Sequence, residues 1–438
     1  MIEDQLTSLT LIGVVLSLTI LEKKRLNTLV TPFTVTAWPF VFIAVLVNFL
    51  LIHLDFKPFT MRAQLFILAN LGILWVIGYI VVHFSGTKTH QEVGSSQFDN
   101  IFEKFAAYEW LLIGIAWFAI GVIFRRVNSL LSQYGGFAFV GDPRFEMMMM
   151  YGFPAHMGEV AKTCFLLLGI FFSFSKRKIL VITTLLGLFI ALTSMQVKYH
   201  LLWVLIMLFI YRVIKLPVAK QWRALFWTGF VVVLVMNLFW ILLTIAWQTF
   251  SLTSKGIWQF LFEHTMLYVT SGPVAFDHWL DYANIKPQES LLVVFLNIKN
   301  VLLGNPLRIS AMPYVNISFV PTAAHTVSNV GTAYGVYYII GGWTFTLFMT
   351  VLLSSIYYLV FVQNRKRTNV YLIFINILCM TLAALTFFVQ YFTLLSLYET
   401  ILIYSVVITI FQVLNYLKMD LRIKKNDVID NNLTSVNS

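Results

Sequence analysis

The chain has 438 residues, of which 59% are hydrophobic and only 11% charged, at a mean hydropathy of +0.82. A soluble domain carries roughly a quarter of its residues as charges, so the composition excludes a purely soluble protein and makes the bilayer the solvent for most of the chain. The formal charge of +11 does not indicate nucleic acid, because Lys and Arg fall in short clusters between apolar runs, the pattern that sets membrane topology.

In chain order, apolar runs near the roughly 20 residues that cross hydrocarbon occur at 6–21, 33–54, 64–84, 108–124, 157–174, 179–196, 200–215, 224–246, 335–361, 370–393 and 397–417. The expected fold is all-α, a polytopic transmembrane helical bundle of about 11 spans with one large external loop late in the chain. The first run lacks a preceding basic region and a small-residue cleavage site, so it reads as a retained helix and not a signal peptide. The runs 179–196 and 200–215 are separated only by Val197, Lys198 and Tyr199. They allow a bent re-entrant pair as well as two spans. Four parts follow: a bundle over 1–246 with an external loop at 125–156, a large external loop over 247–334, C-terminal helices over 335–417, and a basic tail over 418–438. Neither a solenoid repeat nor an inverted duplication is visible.

Five basic clusters set the orientation: Lys23 to Arg25, Lys176 to Lys178, Arg212 to Arg223, Arg365 to Arg367, and Lys418 to Lys425. With eleven spans all five fall on one side, the cytoplasmic one by the positive-inside rule. The N-terminus is then outside and the C-terminus inside. The segment 85–107, with Gly86, Gly94, Ser95 and Ser96, reads as a flexible inner loop. Within the outer loop, Trp247, Trp258 and Trp279 suit an interfacial belt. Ile257, Phe260, Leu261 and Tyr268 recur at a helical spacing that suits a helix lying along the surface.

Cations that break the rule carry more information than those that obey it. Arg125, Arg126, Arg144, Lys162, Lys198 and Arg308 fall outside or near the outer face. Guanidinium groups grip phosphate oxygens in a bidentate way, so Arg125 and Arg126 at the end of the fourth run suit a pyrophosphate-linked lipid; snorkelling to headgroups is the plainer reading. Lys198 lies between two apolar runs, where a charge costs on the order of 3 kcal/mol unless it meets water or a partner. His325 and Asn329 share a face where the chain re-enters the membrane, in a stretch rich in Gly and Ser that leaves room for a substrate. An imidazole there suits a general base. His200, His264 and His278 read as packing.

Other chemistry finds little support. Cys164 and Cys379 sit in apolar runs with no metal spacing. There is no phosphate-binding glycine loop, zinc-protease helix or serine-hydrolase elbow. Asp277 and Asp281 stand four apart on one helix face, but no third oxygen ligand is near, so no metal is expected.

The late outer loop, the run Tyr268-Val269-Thr270-Ser271-Gly272-Pro273-Val274-Ala275-Phe276 at its start and Asn329 through Gly342 at its end resemble the Wzy-type oligosaccharide repeat-unit polymerases of bacterial O-antigen and capsule assembly. His325 is similar to a histidine near the end of the corresponding loop in O-antigen ligases. Two features depart from the pattern. Lys198 stands where the family often has Arg, which keeps the charge and loses the fork. The Gly341-Gly342 pair lacks the acidic residue that often precedes it. The resemblance implies a metal-independent glycosyltransferase of the bacterial cytoplasmic membrane, acting at its outer face without a cofactor on undecaprenyl-pyrophosphate-linked oligosaccharide. A chain-length regulator protein is a further implied partner, besides membrane lipids. Arg125, Arg126, Lys198, Arg144 and Arg308 are expected at the leaving pyrophosphate, His325 with Asn329 at the acceptor hydroxyl, and Tyr268 with the loop tryptophans on sugar faces. The alternatives are a ligase-like glycan transferase and a lipid-linked oligosaccharide carrier. A carrier favours two similar halves and charged residues within spans, and the sequence presents neither.

Overall fold

The computed structural model describes residues 1–86, 95–136, 143–196, 198–247, 254–282, 320–323, 326–328, 330–367, 369–388, 391–392 and 394–436. The helices are α1 (Ile2–Leu26), α2 (Pro32–Val45), α3 (Met61–Phe84), α4 (Ser95–Ala106), α5 (Glu109–Gln133), α6 (Pro143–Met149), α7 (Phe153–Phe171), α8 (Lys178–Ser194), α9 (Lys198–Ile214), α10 (Val218–Trp247), α11 (Ser254–Trp279), α12 (Ala333–Lys366), α13 (Val370–Ala384) and α14 (Leu395–Val436). Strands β1 (Val320–Ala323) and β2 (Thr326–Ser328) form an antiparallel pair with Val320 opposite Ser328. Among the described residues, seven helical stretches are long and apolar enough to cross a membrane. Shorter apolar helices lie at Lys178–Ser194 and His200–Ile214. The protein is thus an all-α membrane helical bundle.

Local sequence fixes several helix ends. Thr31 caps α2 in a reciprocal box with Thr34, and Pro32 fills the first helical position, where its missing N–H costs nothing. Thr332 opens α12 by accepting the Gly335 N–H at 3.0 Å. Gln196, with φ 60, makes the turn between α8 and α9. The pair therefore forms two separate helices of 17 residues each, roughly 25 Å long.

The clusters at Lys23 to Arg25, Arg212 to Arg223 and Arg365 to Arg367 gather at one end of the bundle. Arg25 donates to the Tyr79 carbonyl at 2.9 Å and lies 4.0 Å over its ring. Arg365 donates to the Leu26 carbonyl at 2.6 Å, and Lys366 bonds the Ser85 carbonyl. Gln221 accepts the Leu29 N–H at 2.8 Å. The segment expected as a flexible inner loop contains α4 instead. Its Phe102, Phe105 and Ala106 are buried in the core, and Asp99 pairs with Lys215. The apolar residues Ile101, Phe102 and Phe105 recur at helical spacing, which docks α4 onto the bundle.

At the opposite end, Asn48 ties the α2–α3 turn to α1. Its Nδ2 donates to Ser8 Oγ and the Phe59 carbonyl, both at 2.9 Å, and its Oδ1 accepts the Phe59 N–H at 2.9 Å. The late segment folds back onto this end. α11 packs on α2, α3, α10 and α12, and on both strands. Lys57 N donates to the Thr322 carbonyl at 2.9 Å. Trp279, expected in an interfacial belt, is only 3% exposed, because Gly331 and Gly335 admit its ring and that of Phe276. Those glycines serve close packing, where the sequence suggested room for a substrate.

Candidate functional site at the end opposite the basic clusters

The expected site residues separate into three groups. Arg125 and Arg126 lie within α5, which runs past the expected end of its span to Gln133. Arg125 is exposed, and half-buried Arg126 donates from Nη2 to the Met148 carbonyl at 3.4 Å. Arg144 is exposed on α6, which packs against α5. The contact of α5 with α6 thus brings the helices that carry these three arginines together. Lys198 opens α9, with its side chain outside the described residues. Arg308, His325 and Asn329 also lie outside the described residues. Tyr268 belongs to the packing of α11: it is half-buried, with its ring 6.1 Å from that of Phe388.

Asp277 and Asp281 do share a face, and a cation satisfies it. Arg62 donates from Nε to Asp277 Oδ1 at 3.0 Å, from Nη1 to Asp281 Oδ1 at 2.7 Å, and from Nη2 to the Asp277 carbonyl at 2.7 Å. The guanidinium thus clamps α11 to the start of α3. It also holds the Asp281 carboxyl below the usual carboxylate range through that hydrogen bond. Among the described residues no cluster suited to a metal ion is found.

Sequence reasoning missed the most polar interior feature. Glu159 and Lys162 stand one turn apart on α7, with Oε2 and Nζ separated by 2.5 Å and side chains 3% and 2% exposed. Thr400 on α14 donates to Glu159 Oε2 at 2.9 Å. His200 on α9 brings Nδ1 to 3.5 Å from Glu159 Oε1. Lys162 Nζ lies 4.1 Å over the Trp203 ring, which in turn stacks on Tyr391 at 5.7 Å. Lys162 is the tenth of nineteen residues in α7, so it sits mid-helix and not near the outer face. Such a pair is held only where partners replace water around both ions. Two charges thus lie inside the helix that covers the expected run 157–174.

At the mouth of this cluster, His156 in the first turn of α7 meets Glu399 in the second turn of α14. Nδ1 and Oε1 are 2.9 Å apart, and the side chains are 54% and 21% exposed. Glu399 directly precedes Thr400, so the exposed pair and the buried pair share one anchor. A second buried acid, Glu22 on α1, bonds Thr31 and Tyr358 near the basic end.

No curated protein and no solved structure is significantly similar to the chain. One family model, described as a family of unknown function (DUF6337), matches residues 62–418. That stretch runs from the Arg62 clamp through the buried Glu159–Lys162 pair to the end of the last apolar helix, and the chain belongs to this family.

Proposed function

We propose that the chain is a membrane glycosyltransferase that joins undecaprenyl-pyrophosphate-linked oligosaccharide repeat units into O-antigen or capsular polysaccharide, at the outer face of the bacterial cytoplasmic membrane. Eleven helices cross in this reading: α1, α2, α3, α5, α7, α8, α9, α10, α12, α13 and α14. The basic end is cytoplasmic, so the N-terminus is outside and the C-terminus inside.

One observation carries the reading beyond the resemblance. α11 and the two strands are built into the core at the end away from the basic clusters, the end toward which α5 carries Arg125 and Arg126. A fixed helix and strand pair over that end suits chemistry at the interface. Arg125, Arg126 and Lys198, with Arg144 and Arg308, stabilise the charge that grows on the departing pyrophosphate. His325 and Asn329 orient the acceptor sugar. In cells carrying Arg126→Ala, lipid-linked glycan collapses from long polymer to single repeat units at normal protein level. Unchanged polymer length sinks this assignment. In cells lacking the gene, long lipid-linked polymer that is merely unattached favours the ligase-like transfer instead.

The buried Glu159–Lys162–His200 cluster supports a second reading, a carrier for lipid-linked oligosaccharide, because intramembrane ionisable groups often serve transport. Liposomes holding the purified chain and a fluorescent lipid-linked glycan separate the two. A carrier moves the label between leaflets without lengthening it.

A further inference from the structure

The geometry points to His156 as the group that takes the acceptor hydroxyl's proton, with Glu399 as its positioning residue. This inference rests on the transfer reaction proposed above. With Nδ1 at 2.9 Å from Glu399 Oε1, the carboxylate fixes the tautomer that donates from Nδ1. Nε2 is then the nitrogen with a lone pair to accept a proton. A base held by an acid that is held in turn by the fold is the arrangement general-base chemistry needs.

Three observations favour this histidine. First, its side chain is half exposed, whereas His200, which faces Glu159, is 4% exposed and out of reach of a sugar. Second, Glu399 is mounted on a fixed base: the adjacent Thr400 donates to Glu159, which is locked to Lys162 within α7 itself. The two partners of the dyad are thereby held by the same buried pair. Third, the dyad follows closely in sequence on a contact of the arginines. Arg126 donates to the Met148 carbonyl, and His156 stands eight positions after Met148. Between them Met150, Tyr151 and Phe153 are exposed, a shelf suited to a substrate that arrives in the plane of the membrane.

The acceptor O–H bond breaks and its proton passes to His156 Nε2. The oxygen lone pair forms the bond to the anomeric carbon. The C–O bond to pyrophosphate breaks, and its electron pair leaves on the phosphate oxygen beside the arginines. The imidazolium then releases its proton to water. His325 keeps the orienting role.

The full chain in lipid nanodiscs, supplied with undecaprenyl-pyrophosphate-linked repeat unit, tests this. His156→Ala and His156→Gln are expected to lower kcat roughly 10²–10⁴-fold, with KM within about threefold of wild type. Added imidazole is expected to raise the rate of His156→Ala about tenfold or more, and to leave Arg126→Ala unchanged. Glu399→Gln lowers kcat about tenfold and Glu399→Asp restores part of it, a rescue that simple packing does not give. A monodisperse His156→Gln protein that keeps its kcat overturns the inference, as does His156→Ala that imidazole fails to rescue. If neither variant folds, the imidazole is structural and the inference is likewise overturned. A wild-type chain that never lengthens the glycan removes the polymerase reading itself, an outcome read on a different sample.

Discussion

At the scale of single residues, the chain places ions where each must be answered by another. Glu159 and Lys162 stand three apart, the spacing of an intrahelical ion pair, and that much is legible in the sequence. The remaining partners are not, because Thr400 is 241 positions away and only packing of α7 against α14 unites them. Lys162→Met strands a buried carboxylate and is expected to destabilise the fold by about 3–5 kcal/mol, whereas Glu159→Leu with Lys162→Met together recovers most of the loss. Thermal unfolding of the purified variants in one detergent supplies the cycle, and a coupling below about 0.5 kcal/mol refutes the pairing. Arg62 and Asp281 make a softer prediction. The folded Asp281 carboxyl is held below its ordinary value, so its contribution is complete above the unfolded value of about 3.9. It fades as pH falls through the lower folded value. Protection of α11 against hydrogen exchange should stay level from about pH 7 to 5 and weaken below about 4. Asp281→Asn should show the weakened state throughout.

At the scale of elements, the apolar runs fix where most helices lie, since hydropathy is decided residue by residue. α8 and α9 appear almost as the sequence suggests, at Lys178–Ser194 and Lys198–Ile214. α11 is the informative departure. Read as a helix lying along the surface of the outer loop, it carries Leu261, Ala275, Phe276 and Trp279 into the main core. Its polar residues and Pro273 hide this in a linear reading, because their partners on α3 and α12 are far away in sequence. Gly272 permits the approach: a Cβ there would stand 2.2 Å from the Phe387 carbonyl oxygen. Gly272→Ala should cost about 1–3 kcal/mol, whereas Gly121→Ala, with nothing within 4 Å, stays within about 0.5 kcal/mol. The expected Gly341-Gly342 pair has a backbone purpose as well. It breaks α12, and Gly342 adopts φ 66, ψ −157, a region open essentially to glycine. Gly342→Ala should cost a further 1–3 kcal/mol or so, measured in the same thermal assay.

At the scale of the whole molecule, charge asymmetry between the two ends predicts orientation. Cys164 and Cys379 are both buried, so background labelling is low. An impermeant maleimide should label Ser132→Cys in intact cells and reach Lys24→Cys only after lysis; the reverse pattern inverts the proposed topology. The site was less legible than the fold. Arg125 and Arg126 could be singled out by their expected side of the membrane, but the proposed role of His156 depends on Glu399, 243 positions later. The same long reach governs how the molecule is made. Arg62 meets Asp277 across 215 positions, and Glu22 meets Tyr358 across 336. At synthesis rates of roughly 5–20 residues per second, the first three helices wait on the order of ten seconds to a minute before these partners exist. Until then the early helices depend on neighbouring lipid, water or the insertion machinery to shelter them, so a ribosome stalled before α12 should leave a fragment that membrane proteases clear quickly.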